Sequence, residues 1–86
     1  MAVKVEDQVR PLREIAAEIR EEWATLATAG AAAQPYVVAM AELDRIDGAY
    51  YADSAEAIVR YFLANAGAWR GEVARRVKGE LRSMLA

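Results

Sequence analysis

Apolar residues return at alternating steps of three and four along the first third of the chain. They are Val9, Leu12, Ala16, Ile19, Trp23 and Leu26. Because an α-helix has 3.6 residues per turn, this spacing places all of them on one stripe. The pattern predicts a first helix over about residues 7–28. Pro11 is tolerated in its first turn, and Gly30 is a natural residue to follow its end.

A second helix is predicted over residues 35–47. Pro35 suits the first turn of a helix, and Gly48 closes the segment. The residues after Gly48 lack a helical period and predict a turn that carries two adjacent aromatic side chains, Tyr50 and Tyr51.

The last third of the chain predicts two more helices, over residues 54–65 and 68–85. Asp53 or Ser54 can cap the first of them, with Glu56 reaching back to the cap. Asn65 and Gly67 favour a break, with Asn65 capping the fourth helix. One continuous helix from Ser54 to Leu85 is the alternative, because the apolar period runs through the break.

These elements predict one all-α domain over residues 1–86, a bundle of three or four helices. A chain of this length has no room for two separate cores. The third helix has little polar surface and is therefore expected at the centre of the bundle.

The residue types argue against catalysis. The chain has no histidine and no cysteine, so the usual general base and the strongest nucleophile are both missing. The same absence disfavours a zinc site, and the acids around Gly48 lack the alternating ligand positions of a calcium loop. We therefore expect a protein that is not an enzyme and has neither cofactor nor metal.

Charge is unevenly distributed although the net charge is only −2. Acidic residues dominate the segment 1–59, and basic residues dominate the segment 60–86. The two parts can attract each other within one fold, or they can pair two copies of the chain head to tail. A monomer and a homodimer both remain open.

The string Trp69-Arg70 is the most unusual local feature. An arginine beside an apolar face either forms an internal ion pair or lies at an interface next to an exposed tryptophan, a combination common at binding hot spots. Gly71 would then let another backbone approach closely. The leading hypothesis is a protein–protein interaction module with these contact residues: Trp69, Arg70, Arg75, Arg76, Tyr50 and Tyr51.

Binding of DNA or RNA is the main alternative. Arg75, Lys78 and Arg82 fall within about 60° of one another on the fourth helix, opposite the face of Trp69 and Val77. Such a solvent-facing group of cations can contact phosphates. A purely structural, self-assembling homodimer is the third possibility.

No apolar run is long enough to cross a bilayer, and the chain begins without the apolar stretch of a signal peptide. A cytoplasmic protein that does not bind membranes is therefore expected.

Several strings from Arg13 to Leu85 resemble a group of small helical proteins encoded by bacteriophages of actinobacteria. The strings are Arg13-Glu14-Ile15-Ala16 with Ile19-Arg20, Pro35-Tyr36 with Ala39-Met40, Asp53-Ser54-Ala55, Ile58-Val59-Arg60-Tyr61-Phe62-Leu63-Ala64-Asn65, Trp69-Arg70-Gly71-Glu72, Ala74-Arg75 with Val77-Lys78, and Glu80-Leu81. The resemblance implies an accessory phage protein of unassigned biochemistry that binds a host or phage protein in the host cytoplasm. It transfers no functional residues.

Overall fold

Helices make up most of the computed structural model, which describes residues 9–24 and 31–85. The elements follow this order: α1 (Leu12–Trp23), a short 3₁₀ helix (Ala31–Ala33), α2 (Gln34–Met40), β1 (Ala49–Tyr50), β2 (Asp53–Ser54), α3 (Ala55–Asn65) and α4 (Glu72–Met84). The predicted helical character is confirmed. The two strands form one antiparallel hairpin, so the strict all-α prediction was wrong.

Helix α1 begins at Leu12, later than predicted. A residue that precedes proline is disfavoured in the helical conformation, and Pro11 itself is extended at the cap position. The free backbone N–H groups of Leu12 and Arg13 donate to the carbonyls of Asp44 and Leu43, at 2.9 and 2.7 Å. The helix therefore starts on the loop that follows α2. Its predicted end, residues 28–30, lies outside the described residues.

Helix α2 ends at Met40, seven residues before the predicted boundary. The carbonyls of Leu43 and Asp44 accept from the start of α1 and are turned away from a helical path. Tight turn bonds replace the helical ones, such as the 3.0 Å bond from the N–H of Leu43 to the carbonyl of Met40. A tertiary contact, not local propensity, sets this boundary.

The hairpin lies where a turn was predicted. Ala49 pairs with Ser54, and Tyr50 pairs with Asp53. The two-residue loop begins with Tyr51, whose φ of 54° lies in the left-handed region. The hairpin leads directly into α3.

Two separate helices, not one, follow the hairpin, as predicted. The Ser54 hydroxyl accepts from the N–H of Ala57 at 3.1 Å and caps α3, which confirms the predicted cap. Asn65 does not cap α4, because its side-chain amide donates to the carbonyl of Tyr61 in α3. Helix α4 starts at Glu72 behind Gly71, whose φ of 112° favours glycine.

Buried apolar side chains from all four described helices form the core. The predicted stripe of α1 is buried from Leu12 to Trp23, whereas Val9 is half-exposed and Leu26 lies outside the described residues. The closest backbone packing joins α2 to α3 and α2 to α1, whereas α4 approaches α1 less closely. Helix α3 packs closely on α2, and its Phe62 also lies beside Trp23 of α1 and beside Trp69.

Candidate interaction surfaces

Trp69 belongs to the core and is fully buried. Its ring lies edge-on to Trp23, with centroids 5.6 Å apart, and is 6.4 Å from the ring of Phe62. Trp69 precedes α4 in an irregular segment, and its side chain contacts rings from α1 and α3. The expectation that it is an exposed anchor for a partner was wrong.

Arg70 points to solvent next to this buried ring. It has no ion-pair partner within residues 9–24 and 31–85, so the internal ion pair weighed for it is not found there. A Cβ added to Gly71 would meet no atom within 4 Å. The glycine therefore meets a conformational need at the start of α4, since no backbone within residues 9–24 and 31–85 approaches it closely.

Arg76 was predicted to contact a partner but is held within the chain. Its guanidinium donates to the carboxylate of Glu18 in α1, and Arg10 lies 2.8 Å from the same carboxylate. Arg10 also forms a two-bond pair with Glu80, at 2.7 and 2.9 Å. This network joins the acidic and basic parts of the chain, which is the intramolecular attraction that the charge distribution suggested.

The network shifts the ionisation of its members. The hydrogen bond from Arg76, supported by Arg10, lowers the pKa of the Glu18 carboxyl below its ordinary value. The hydrogen bonds that Arg10 donates to Glu80 raise the pKa of the Arg10 guanidinium. Each of these two shifts favours the charged form of its group.

The opposite flank of α4 carries the three residues predicted for nucleic acid: Arg75, Lys78 and Arg82. Arg75 and Arg82 are exposed, and neither forms an ion pair with any described residue. Lys78 was expected to face solvent, but it is partly buried. Its Nζ donates to the carbonyl of Trp69 at 2.6 Å and lies 5.9 Å from the centre of that indole ring.

The pKa of Lys78 reflects the positive charges near it on this flank. Its partial burial lowers its pKa, and the positive charges of Arg82 and Arg70 lower it further. Like charges thus lie close enough to affect one another. Two arginines stay free for an anionic partner, while the lysine supports the structure.

The hairpin tip presents the two predicted tyrosines differently. Tyr51 is 88% exposed, whereas Tyr50 is half-buried and packs against the core. The two rings are nearly perpendicular, with centroids 4.7 Å apart. The exposed ring of Tyr51 therefore contacts Tyr50, which is itself held by packing against the core.

An open cleft of about 600 Å³ lies at the start of α1 and was not predicted. Apolar groups of Val9, Pro11, Ile46 and Met84 line it. Ion pairs between Arg13 and Asp44 and between Arg45 and Asp47 border it. No sequence pattern indicates this cleft, because its residues come from three distant segments.

The described part of the chain contains no group of three acidic side chains placed to hold a metal ion. Within the same ranges, no helix combines the length and apolar character needed to cross a membrane.

Comparison with known protein families, with curated proteins and with solved structures found no match to this chain.

Proposed function

We propose that this protein is a non-enzymatic interaction module that binds a partner protein through the tip of its hairpin. The observation that carries the proposal is Tyr51, an aromatic side chain that is almost fully exposed and held in a left-handed backbone conformation.

Tyr51 breaks two local rules at once. A residue with a Cβ in the left-handed conformation costs about 1–2 kcal/mol, and glycine or asparagine is the usual choice there. An exposed ring recovers little of that cost through burial. Strained backbone and exposed aromatic groups are both typical of binding sites. A partner that buries the ring explains why a tyrosine occupies this position.

The base of the hairpin suits this role. Tyr50 packs against the core and contacts Tyr51 edge-on, so the exposed ring has limited freedom before binding. A tyrosine that is ordered in advance loses little conformational entropy when a partner closes over it. Tyrosine is also enriched among the residues that dominate binding energy. Of the predicted contacts, Tyr51 is therefore the anchor, with Tyr50 as its support.

The partner class follows from the phage resemblance. We place the protein in the host cytoplasm, where it binds a host or phage protein without cofactor or membrane. Arg70 and Arg75 are exposed and remain secondary contacts in this proposal, whereas Arg76 is engaged with Glu18. Trp69 is excluded because it is fully buried.

Affinity capture from the native host, with three versions of the bait compared, tests the proposal. The wild type and Tyr51→Phe should retain the same partner, since both keep the ring. Tyr51→Asn should lose at least 90% of the captured protein while its unfolding midpoint stays equal or rises, because asparagine suits the left-handed position. Equal capture by Tyr51→Asn and wild type would reject the hairpin as the anchor.

A second candidate function, binding of DNA or RNA, is supported by the free guanidinium groups of Arg75 and Arg82. It predicts retention on duplex DNA that falls with salt and is lost when both arginines become alanine. Lys78 should matter less than the arginines, because its amino group is engaged with Trp69. A gel-shift assay at low salt that shows no retarded band removes this candidate.

A further inference from the structure

The outward face of α4 carries two arginines separated by a small residue. Arg75, Gly79 and Arg82 are all exposed and lie within about 60° of one another around the helix. The seven steps from Arg75 to Arg82 span about 10.5 Å along the helix axis. Against the chain direction, Gly79 follows Arg82 by three residues, and Arg75 follows Gly79 by four.

The outward face of α1 repeats this arrangement with the opposite charge. Glu14, Ala17 and Glu21 are exposed, and both acids lack an ion-pair partner among the described residues. The steps are again three and four, here read in chain direction from Glu14. The two patterns therefore match residue for residue when the helices run antiparallel.

We propose that α1 of one copy of this chain docks antiparallel on α4 of a second copy, with Glu14 facing Arg82, Ala17 facing Gly79, and Glu21 facing Arg75. Carboxylate and guanidinium form strong, charge-assisted hydrogen bonds when they meet in this way. The small residues at the middle allow the two helix axes to come close.

Gly79 supports the proposal independently of the charges. Glycine inside a helix is less favourable than almost any other residue. Among the described residues, no atom lies within 4 Å of a Cβ built at Gly79, so none of them requires a glycine there. Close approach by a second helix gives it a role.

The way α1 and α4 pack within one chain allows the proposed α1–α4 contact to form twice in a dimer. Arg10 pairs with Glu80, and Glu18 pairs with Arg76, so the α4 partner numbers fall as the α1 numbers rise. The two helices are therefore antiparallel within one chain. A two-fold axis along the helices places each α1 on the α4 of the other copy, which closes the assembly as a dimer.

Sedimentation equilibrium of charge-reversed chains tests the pairing. The wild type at low salt should approach twice the monomer mass with rising concentration, and 0.5 M salt should weaken its association at least tenfold. Arg75→Glu with Arg82→Glu should be monomeric alone, as should Glu14→Arg with Glu21→Arg. An equimolar mixture of the two double variants should associate again, because every facing pair regains opposite charges.

Gly79→Gln separates packing from folding. Glutamine favours helix, so the monomer should unfold at a higher temperature, yet its bulk at the contact should weaken association at least tenfold. Circular dichroism of each variant monitors folding.

Three results overturn the proposal. The first is a wild type that stays monomeric at about 1 mM and low salt, where even an association of only −4 kcal/mol would be visible. The second is a mixture of charge-reversed chains that fails to associate although both are folded. The third is a monomeric wild type that retards duplex DNA through Arg75 and Arg82, which assigns the basic face to nucleic acid.

Discussion

The two flanks of α4 carry similar residues but differ in what surrounds them. On one flank Arg76 and Glu80 meet Glu18 and Arg10 across the contact with α1. The other flank, with Arg75 and Arg82 exposed, meets no acid among the described residues.

This difference shows how neighbouring arginines acquire different roles. Arg75 and Arg76 are adjacent in sequence and about 100° apart around the helix. That rotation directs one guanidinium to α1 and the other to solvent. The paired flank joins α4 to α1, and the unpaired flank presents its charge to solvent, where an anionic partner can reach it.

The largest effect is expected at Trp69, which lies beneath Lys78 on the unpaired flank. Trp69→Ala should lower the free energy of unfolding by about 3–5 kcal/mol, because it empties a fully buried site. Urea denaturation followed by circular dichroism measures the loss. Tyr51→Ala is the matched control and should change stability by less than about 0.5 kcal/mol, since its ring is exposed. Similar losses in both variants would contradict the placement of Trp69 in the core.

A smaller effect is expected for the paired flank. Glu18→Gln should lower the free energy of unfolding by about 1 kcal/mol, because it weakens the bonds from Arg10 and Arg76 at a partly exposed site. Denaturation at low salt and low protein concentration measures it. Glu21→Gln provides the control in the same helix and should stay within about 0.5 kcal/mol of the wild type. Equal losses at the two positions would remove the distinction between the flanks.

The smallest effect is a pH dependence in the acidic range, which comes from Glu18 at the paired flank. Arg76 and Arg10 lower the pKa of Glu18 in the folded chain, so the unfolded chain takes up this proton first as the solution is acidified. The contribution of Glu18 is therefore complete well above the unfolded pKa of about 4.5 and is lost as the pH falls through the folded pKa. Thermal melts from pH 7 to pH 3 should show a gentler decline in Glu18→Gln than in wild type. If the melting temperatures of wild type and Glu18→Gln fell in parallel with pH, the ion pairs of Glu18 would contribute nothing to stability.

The helices of the fold were largely predictable because each has a local signature. The apolar stripe from Leu12 to Trp23 and the cap at Ser54 act over one or two turns of chain, and both were found as predicted. The boundaries were less predictable. The end of α2 depends on bonds from Leu12 and Arg13 to carbonyls about thirty residues away, which no short pattern contains.

The candidate surfaces were predictable only in part, for a related reason. A turn with two tyrosines was expected, but the left-handed conformation of Tyr51 and the support from Tyr50 depend on the hairpin that forms there. Trp69 was misplaced because its position beside Arg70 was interpreted as an interface motif, although the apolar period grouped it with Val77, which is also buried. The open cleft beside Pro11 had no local signal at all.

The sequence by itself determined which segments become helical and which chemistry is missing, because apolar spacing, caps and residue types act locally. Tertiary structure decided which of two adjacent arginines on α4 is neutralised. Arg75 and Arg76 are the same residue type one position apart, and only the docking of α1 beside one of them makes their environments different. Electrostatic attraction depends on distance in space, and that distance is set by how the helices pack.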